Sequence, residues 1–185
     1  MKLIKFISNL PFNGNYLAVL FFIGLASCNI KGLTSGYKKL STAEKSLICD
    51  YPSKKACQFI NINGKQIVEK LQKDSFALVH IWVPHCKGPN CFPLKYYRDY
   101  AKKKNCSLYI VADSYDMESI DEQITTADTI YFINSKYYGT NFRFGYTKKF
   151  INDLVNNKPI HDSLKYASYF YYRKGVFVAS SSKAL

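Results

Sequence analysis

The chain is expected to fold as an α/β protein, a three-layer sandwich with a mixed central sheet and a late β-hairpin. Three features carry that expectation. The runs "FALVHIWV" (76–83) and "SLYIVADS" (107–114) are short and almost wholly apolar, as parallel strands buried on both faces are. Stretches of helical apolar spacing separate them. Near the C-terminus, "ASYFYYRKGVFVAS" (167–180) alternates and turns at Lys174-Gly175, the signature of a hairpin. Strands alternating with helices and closed by an antiparallel pair make a layered sheet with mixed edges.

The elements follow in order. "NGKQIVEKLQKDS" (63–75) places Ile67, Val68 and Leu71 on one helical face. The strand 76–83 comes next, then a loop holding two cysteines. "CFPLKYYRDYAKKKN" (91–105) reads as a helix with Asn90 as N-cap and Pro93 in its tolerant first turn. After the second strand, "DMESIDEQITTA" (116–127) opens with acidic residues, as suits the positive end of a short helix. "TIYFIN" (129–134) is a further strand, and "YTKKFINDLVNN" (146–157) a helix with Phe150, Leu154 and Val155 on its apolar side. No internal repeat and no second domain is evident.

The N-terminus has a different character. "MKLIK" is basic, and an apolar run from Tyr16 to Leu25 closes on small residues before Cys28. This is the layout of a secretory signal, with an apolar stretch shorter than the ~20 residues a spanning helix needs. "LASC" (25–28) resembles the lipobox of bacterial lipoproteins. That resemblance implies cleavage before Cys28 and lipidation of Cys28 by acyl chains such as palmitate. It also implies a partner, the membrane, and a location: lipid-anchored in the bacterial cell envelope, facing the periplasm. The expected organisation is a lipoprotein signal peptide over 1–27, a tether over 28–45 and the folded domain over 46–185.

The formal net charge is +13. Such a balance suggests nucleic acid, but export argues against it and the lysines are scattered. No nucleic-acid partner is expected. A basic surface beside anionic lipid would help hold the domain to its membrane.

Six cysteines in an exported chain call for pairing. With Cys28 set aside, five remain, an odd number. The local solution joins Cys86 to Cys91 and Cys49 to Cys57. Cys49 and Cys57 flank a turn-like segment and read as a structural disulfide. Cys106 opens an apolar run and behaves as a small buried hydrophobe.

The order of strand, Trp-containing loop with two cysteines, helix, strand, helix and hairpin resembles the thioredoxin fold, over about Asn63 to Ser180. "LVHIWVPHCKGPNC" (78–91) is similar to the strand and cysteine entry of thioredoxin-like proteins, and "RKGVFV" (173–178) to their late Lys-Gly hairpin. The block "INSKYYGTNFRFGYTKKFINDL" (133–154) looks like an insertion found in small Bacteroidetes lipoproteins of this fold. The resemblance implies an envelope thiol-disulfide oxidoreductase acting on protein thiols or disulfides, with Cys86 and Cys91 as redox-active centre and Trp82, Pro84, His85 and Lys87 in support. Two departures stand beside it. Four residues separate the cysteines where redox-active members have two, and Ala167 and Ser168 stand where members place a cis-proline before the hairpin.

The loop chemistry leaves alternatives open. Lys87-Gly88-Pro89-Asn90 is able to close a disulfide. A nucleophilic cysteine needs a helix N-terminus or nearby cations. Cys91, if at the first helical position, has the former. Cys86, between His85 and Lys87, has the latter together with greater exposure, so Cys86 is expected to attack and Cys91 to resolve. One alternative is an inactive interaction module, stapled by its disulfide and presenting tyrosines such as Tyr96, Tyr97, Tyr137, Tyr138, Tyr171 and Tyr172. The weaker alternative is a copper chaperone using His85, Cys86, Cys91 and His161. Otherwise no metal or cofactor is expected, and no motif of other enzyme classes occurs.

Overall fold

The computed structural model describes residues 32–89, 91–156 and 167–183, all within one compact unit, Gly32–Leu185. Its centre is a seven-stranded mixed sheet. The strands are β1 (Ile48–Asp50), β2 (Phe59–Ile62), β3 (Ala77–Trp82), β4 (Ser107–Ala112), β5 (Ile130–Ile133), β6 (Tyr169–Arg173) and β7 (Val176–Ser181). They lie in the order β1-β2-β5-β4-β3-β6-β7. Pairing is parallel from β1 across to β3, and antiparallel from β3 to β6 and from β6 to β7.

Among the described residues there are five α-helices, the first ahead of β1 and the others between strands: α1 (Thr42–Ser46), α2 (Gly64–Leu71), α3 (Leu94–Lys103), α4 (Met117–Asp121) and α5 (Arg143–Leu154). Helices α2 and α5 supply Ile67, Leu71, Phe150 and Leu154 to a cluster on one face of the sheet. Helices α3 and α4 supply Leu94, Tyr97, Met117 and Ile120 to a cluster on the other. Three layers result. The period of two along β3 divides its side chains accordingly: Ala77, Val79 and Ile81 join the first cluster, Leu78 and Trp82 the second. All six β3 residues are buried, the reason this stretch reads as a continuous apolar run.

Local sequence chemistry sets the boundaries. Asn63 caps α2 by accepting from the Gln66 amide, and the Gln66 side chain accepts in return from the Asn63 amide. Ser41 and Glu44 make the same reciprocal box at α1. At the β6–β7 turn Lys174 and Gly175 both have positive φ, 48° and 75°, as a tight hairpin turn demands of its two central residues. The Lys174 amide donates to Asp74 and Ser75 carbonyls, so the hairpin tip is held against the segment after α2.

Three expectations change. Strands β1 and β2, carrying "ICD" and "FINI", had no counterpart in the sequence reading; each is too short to show a period. Part of the stretch read as tether is packed: Ser35 and Leu40 are buried, Thr34 bridges to Phe142, and the Tyr115 amide donates to the Ser35 carbonyl. Third, α3 begins at Leu94 with Pro93 in the N-cap position, because proline fixes φ but its ψ of 155° keeps it outside the helix. Cys91 therefore precedes the helix and does not occupy its first position. Asn90, expected as the cap, lies outside the described residues, as do the signal segment, Cys28 and His161. Among the described residues no helix is long and apolar enough to cross a membrane.

Candidate functional site: the cysteine loop at the end of β3

Strand β3 is central, paired to β4 on one side and β6 on the other. Its carboxyl end delivers the chain into two successive turns. The Cys86 amide donates to the Val83 carbonyl at 3.1 Å, and the Cys91 amide to the Gly88 carbonyl at 3.0 Å. These turns bring the two Cα atoms to 5.7 Å, and the cysteines are joined as a disulfide. Gly88 and Pro89 make the reversal possible at this spacing. Cys86 is exposed and Cys91 half-buried.

The supporting residues divide. Trp82 and Pro84 are buried beneath the loop and position it by packing. Lys87 follows Cys86 in the chain and is exposed. His85 is partly buried, with Nδ1 3.9 Å from an Asp116 carboxylate oxygen. Gly32 packs directly on the His85 ring, where a Cβ would collide with Nε2. The opening of the folded unit thus lies against the residue preceding Cys86.

A cavity of about 400 Å³ opens under the disulfide, lined by Cys86, Cys91, Trp82, His80, Tyr97 and Tyr169 among others. His80 is the residue whose role periodicity concealed. It occupies an inward position of β3 between Leu78 and Trp82, and is buried at 4% exposure. Its ring stacks on Tyr169 at 4.6 Å between centroids and meets Tyr97 at 4.1 Å in a tilted contact. Nδ1 lies 3.1 Å from the Ser168 carbonyl. A carbonyl only accepts, so Nδ1 carries the proton and Nε2 presents a bare lone pair. Nε2 is buried and has no hydrogen-bond partner among the described residues. Burial pushes the imidazole pKa down to about 4, against the smaller opposing effect of the Ser168 carbonyl. His80 is therefore neutral at neutral pH.

Ser168 is the pivot between strand and hairpin. Its carbonyl receives both the His80 ring and the Ile81 amide, the latter at 2.8 Å. Ser168 also lines the cavity, and Ala167 before it is buried.

The other cysteines are arranged differently. Cys49 and Cys57 form a disulfide with Cα atoms 6.2 Å apart, tying edge strand β1 to the segment entering β2. Cys106 is a free thiol whose pKa burial raises, so it stays protonated. Among the described residues no group of three or more His, Cys, Asp or Glu side chains is disposed to hold a metal. Of the four residues named for copper, His85, Cys86 and Cys91 are neighbours and His161 is outside the described residues. The tyrosines fall on both sides: Tyr97, Tyr138 and Tyr172 are buried, whereas Tyr96 and Tyr137 are exposed.

Comparison with family models, with curated proteins and with solved structures finds no match to this chain.

Proposed function

We propose that the protein is a lipid-anchored thioredoxin-like thiol-disulfide oxidoreductase of the bacterial cell envelope, with Cys86 as attacking and Cys91 as resolving thiol. The observation that carries this reading is the pairing of an exposed Cys86 with a half-buried Cys91 over a cavity that holds a neutral His80 with a bare Nε2. A permanent staple has no use for a buried polar acceptor left unpaired beneath it, since such a group costs about 1–3 kcal/mol.

The strand order is in keeping with a thioredoxin-like fold. β2, α2, β3, the cysteine loop, α3, β4 and the β6–β7 hairpin follow in the expected sequence, with β5 added between β2 and β4. The lipid anchor at Cys28 rests on the "LASC" resemblance and on the apolar run before it.

In the reduced protein the Cys86 thiolate, favoured by Lys87 and its exposure, attacks a client disulfide. A Cys86–client bond forms and one client thiolate leaves. Cys91 then attacks the Cys86 sulfur, the second client thiolate leaves, and the Cys86–Cys91 disulfide is restored. The dithiol is oxidised by two electrons as the client disulfide is reduced, and a second envelope dithiol reverses the change. His80 Nε2, a bare acceptor lining the same cavity as Cys91, is the group we assign to receive and orient the Cys91 thiol once the disulfide opens. The thiol proton leaves to water through the cavity.

The direct test is capture. Cys91→Ser, expressed in a Bacteroidetes envelope, is expected to accumulate mixed disulfides through Cys86, absent in Cys86→Ser. A Cys91→Ser protein that forms none would leave the inert interaction module as the reading.

A further inference from the structure

A second cavity, larger than the one at the cysteines, lies elsewhere in the fold. It has a volume of about 870 Å³, within the range of pockets that hold small ligands. It opens outside the carboxyl ends of β1, β2 and β5, where Asp50, Asn61 and Asn134 stand, and reaches Tyr115 in the loop after β4. The chain leaves β4 for α4 on one face of the sheet and leaves β5 for α5 on the other. This divergence of neighbouring strands makes a switch point, and in open α/β sheets the crevice at such a point is where ligands bind.

The walls are built. The buried Tyr115 hydroxyl donates to Asn61 Oδ1 at 2.6 Å, and Asn61 Nδ2 donates to Asp50 Oδ1 at 2.9 Å. This chain of hydrogen bonds links Tyr115, Asn61 and Asp50 along one wall of the cavity. The loop after β5 is fastened in the same way. Asn134 Oδ1 accepts from the Tyr137 amide at 3.0 Å, and the Tyr138 hydroxyl donates to Asp153 at 2.8 Å while accepting from the Gly64 amide.

The lining has a definite chemistry. No alanine, valine, leucine, isoleucine or methionine lines it, and its aromatic members are Tyr37, Tyr115 and Tyr137. Such a lining suits a polar ring better than a lipid chain or an apolar peptide side chain. The polar lining is rich in donors: the ammonium groups of Lys38 and Lys136 and the amides of Asn61, Asn134 and Asn141 stand against one carboxylate, Asp50. Flat rings accept the C–H face of a sugar, amides and a carboxylate pair with vicinal hydroxyls, and two lysines against one aspartate call for an acid group. We infer that this crevice binds an acidic saccharide, a chain of hydroxylated rings bearing carboxylates. The site is separate from the cysteine loop and does not depend on redox activity.

The test is calorimetric titration of the full chain with tetragalacturonic acid, with maltotetraose as the neutral counterpart and uridine monophosphate as the anionic ring compound of another class. Tetragalacturonic acid is expected to bind, and maltotetraose at least about tenfold more weakly. Lys136→Ala and Tyr137→Ala, both at exposed positions, are each expected to weaken the acidic saccharide about tenfold while the thermal midpoint stays unchanged. The inference is overturned if folded protein gives no heat with tetragalacturonic acid, or if neither variant alters its binding. Equal affinity for the two saccharides, or tighter binding of the nucleotide, overturns it as well.

Discussion

The two disulfides make an instructive pair. Cys49–Cys57 closes a loop with a sequence separation of 8 and Cys86–Cys91 one with a separation of 5. Loop entropy alone assigns them nearly the same stabilisation, about 2–3 kcal/mol each. Their surroundings differ in every other respect. Cys49 lies on an edge strand, both its cysteines are half-buried, and the neighbouring polar contact is the Ser53 hydroxyl 3.6 Å from Cys57 Sγ. Cys86 lies past the end of the central strand, is exposed, and sits over a cavity with a buried imidazole. On the proposed function, what would separate a staple from a reactive centre is the site beneath the bond rather than the length of the loop.

The largest expected effect follows from that difference. Cys86→Ser is expected to abolish reduction of a model protein disulfide, whereas the Cys49→Ala/Cys57→Ala double variant keeps the rate and loses about 2–3 kcal/mol of unfolding free energy. Comparable loss of turnover in both would erase the distinction.

The second effect is a pH dependence. The folded pKa of His80 lies below its ordinary 6.5, at about 4. The unfolded chain therefore takes up a proton that the folded one refuses, and the His80 contribution to stability is lost as pH falls from 6.5 towards 4. Asp113 behaves oppositely. Burial raises its carboxyl from 3.8 to about 6, although Arg143 at 3.2 Å opposes the shift. Its contribution is present at low pH and is lost as pH rises through 6. Each amounts to about 3 kcal/mol at most, so over pH 4–6 the two slopes offset each other. Replacing His80 with Gln is expected to unmask the Asp113 slope, so that stability declines with rising pH in urea titrations across that window. A slope unchanged from the parent would mean that His80 is charged in the fold.

The same variant sharpens the comparison chemically. His80→Gln is expected to slow resolution of the Cys86 mixed disulfide about tenfold in stopped-flow assays, while the rate of the first attack by Cys86 stays within twofold of the parent. The smallest effect belongs to Cys106. Its thiol is kept protonated by burial, so Cys106→Ala is expected to leave turnover unchanged and to cost about 1 kcal/mol in chemical unfolding.

Much of this was legible in the sequence because period and turn chemistry are local. The continuous apolar character of 76–83 and 107–114 gave the central strands, and Lys174-Gly175 gave the hairpin. Both disulfides followed from short spacings. What escaped was non-local. "ICD" and "FINI" become strands only because β5 lies alongside β2, a pairing across about seventy residues. His80 passed as a strand residue because alternation says which face it occupies, not that a carbonyl from residue 168 fixes its tautomer. The N-cap moved from Asn90 to Pro93 because the loop spends two turns before α3 begins. The crevice over β1, β2 and β5 draws on segments from Tyr37 to Asn141 and has no motif at all.

The most direct measurement is the reduction potential of each disulfide, by alkylation and mass spectrometry across glutathione and dithiothreitol buffers. The account predicts a value between about −120 and −270 mV for Cys86–Cys91 and one below about −300 mV for Cys49–Cys57. Two values both below about −300 mV would contradict it, since Cys86–Cys91 would then be as inert as its counterpart on the edge strand.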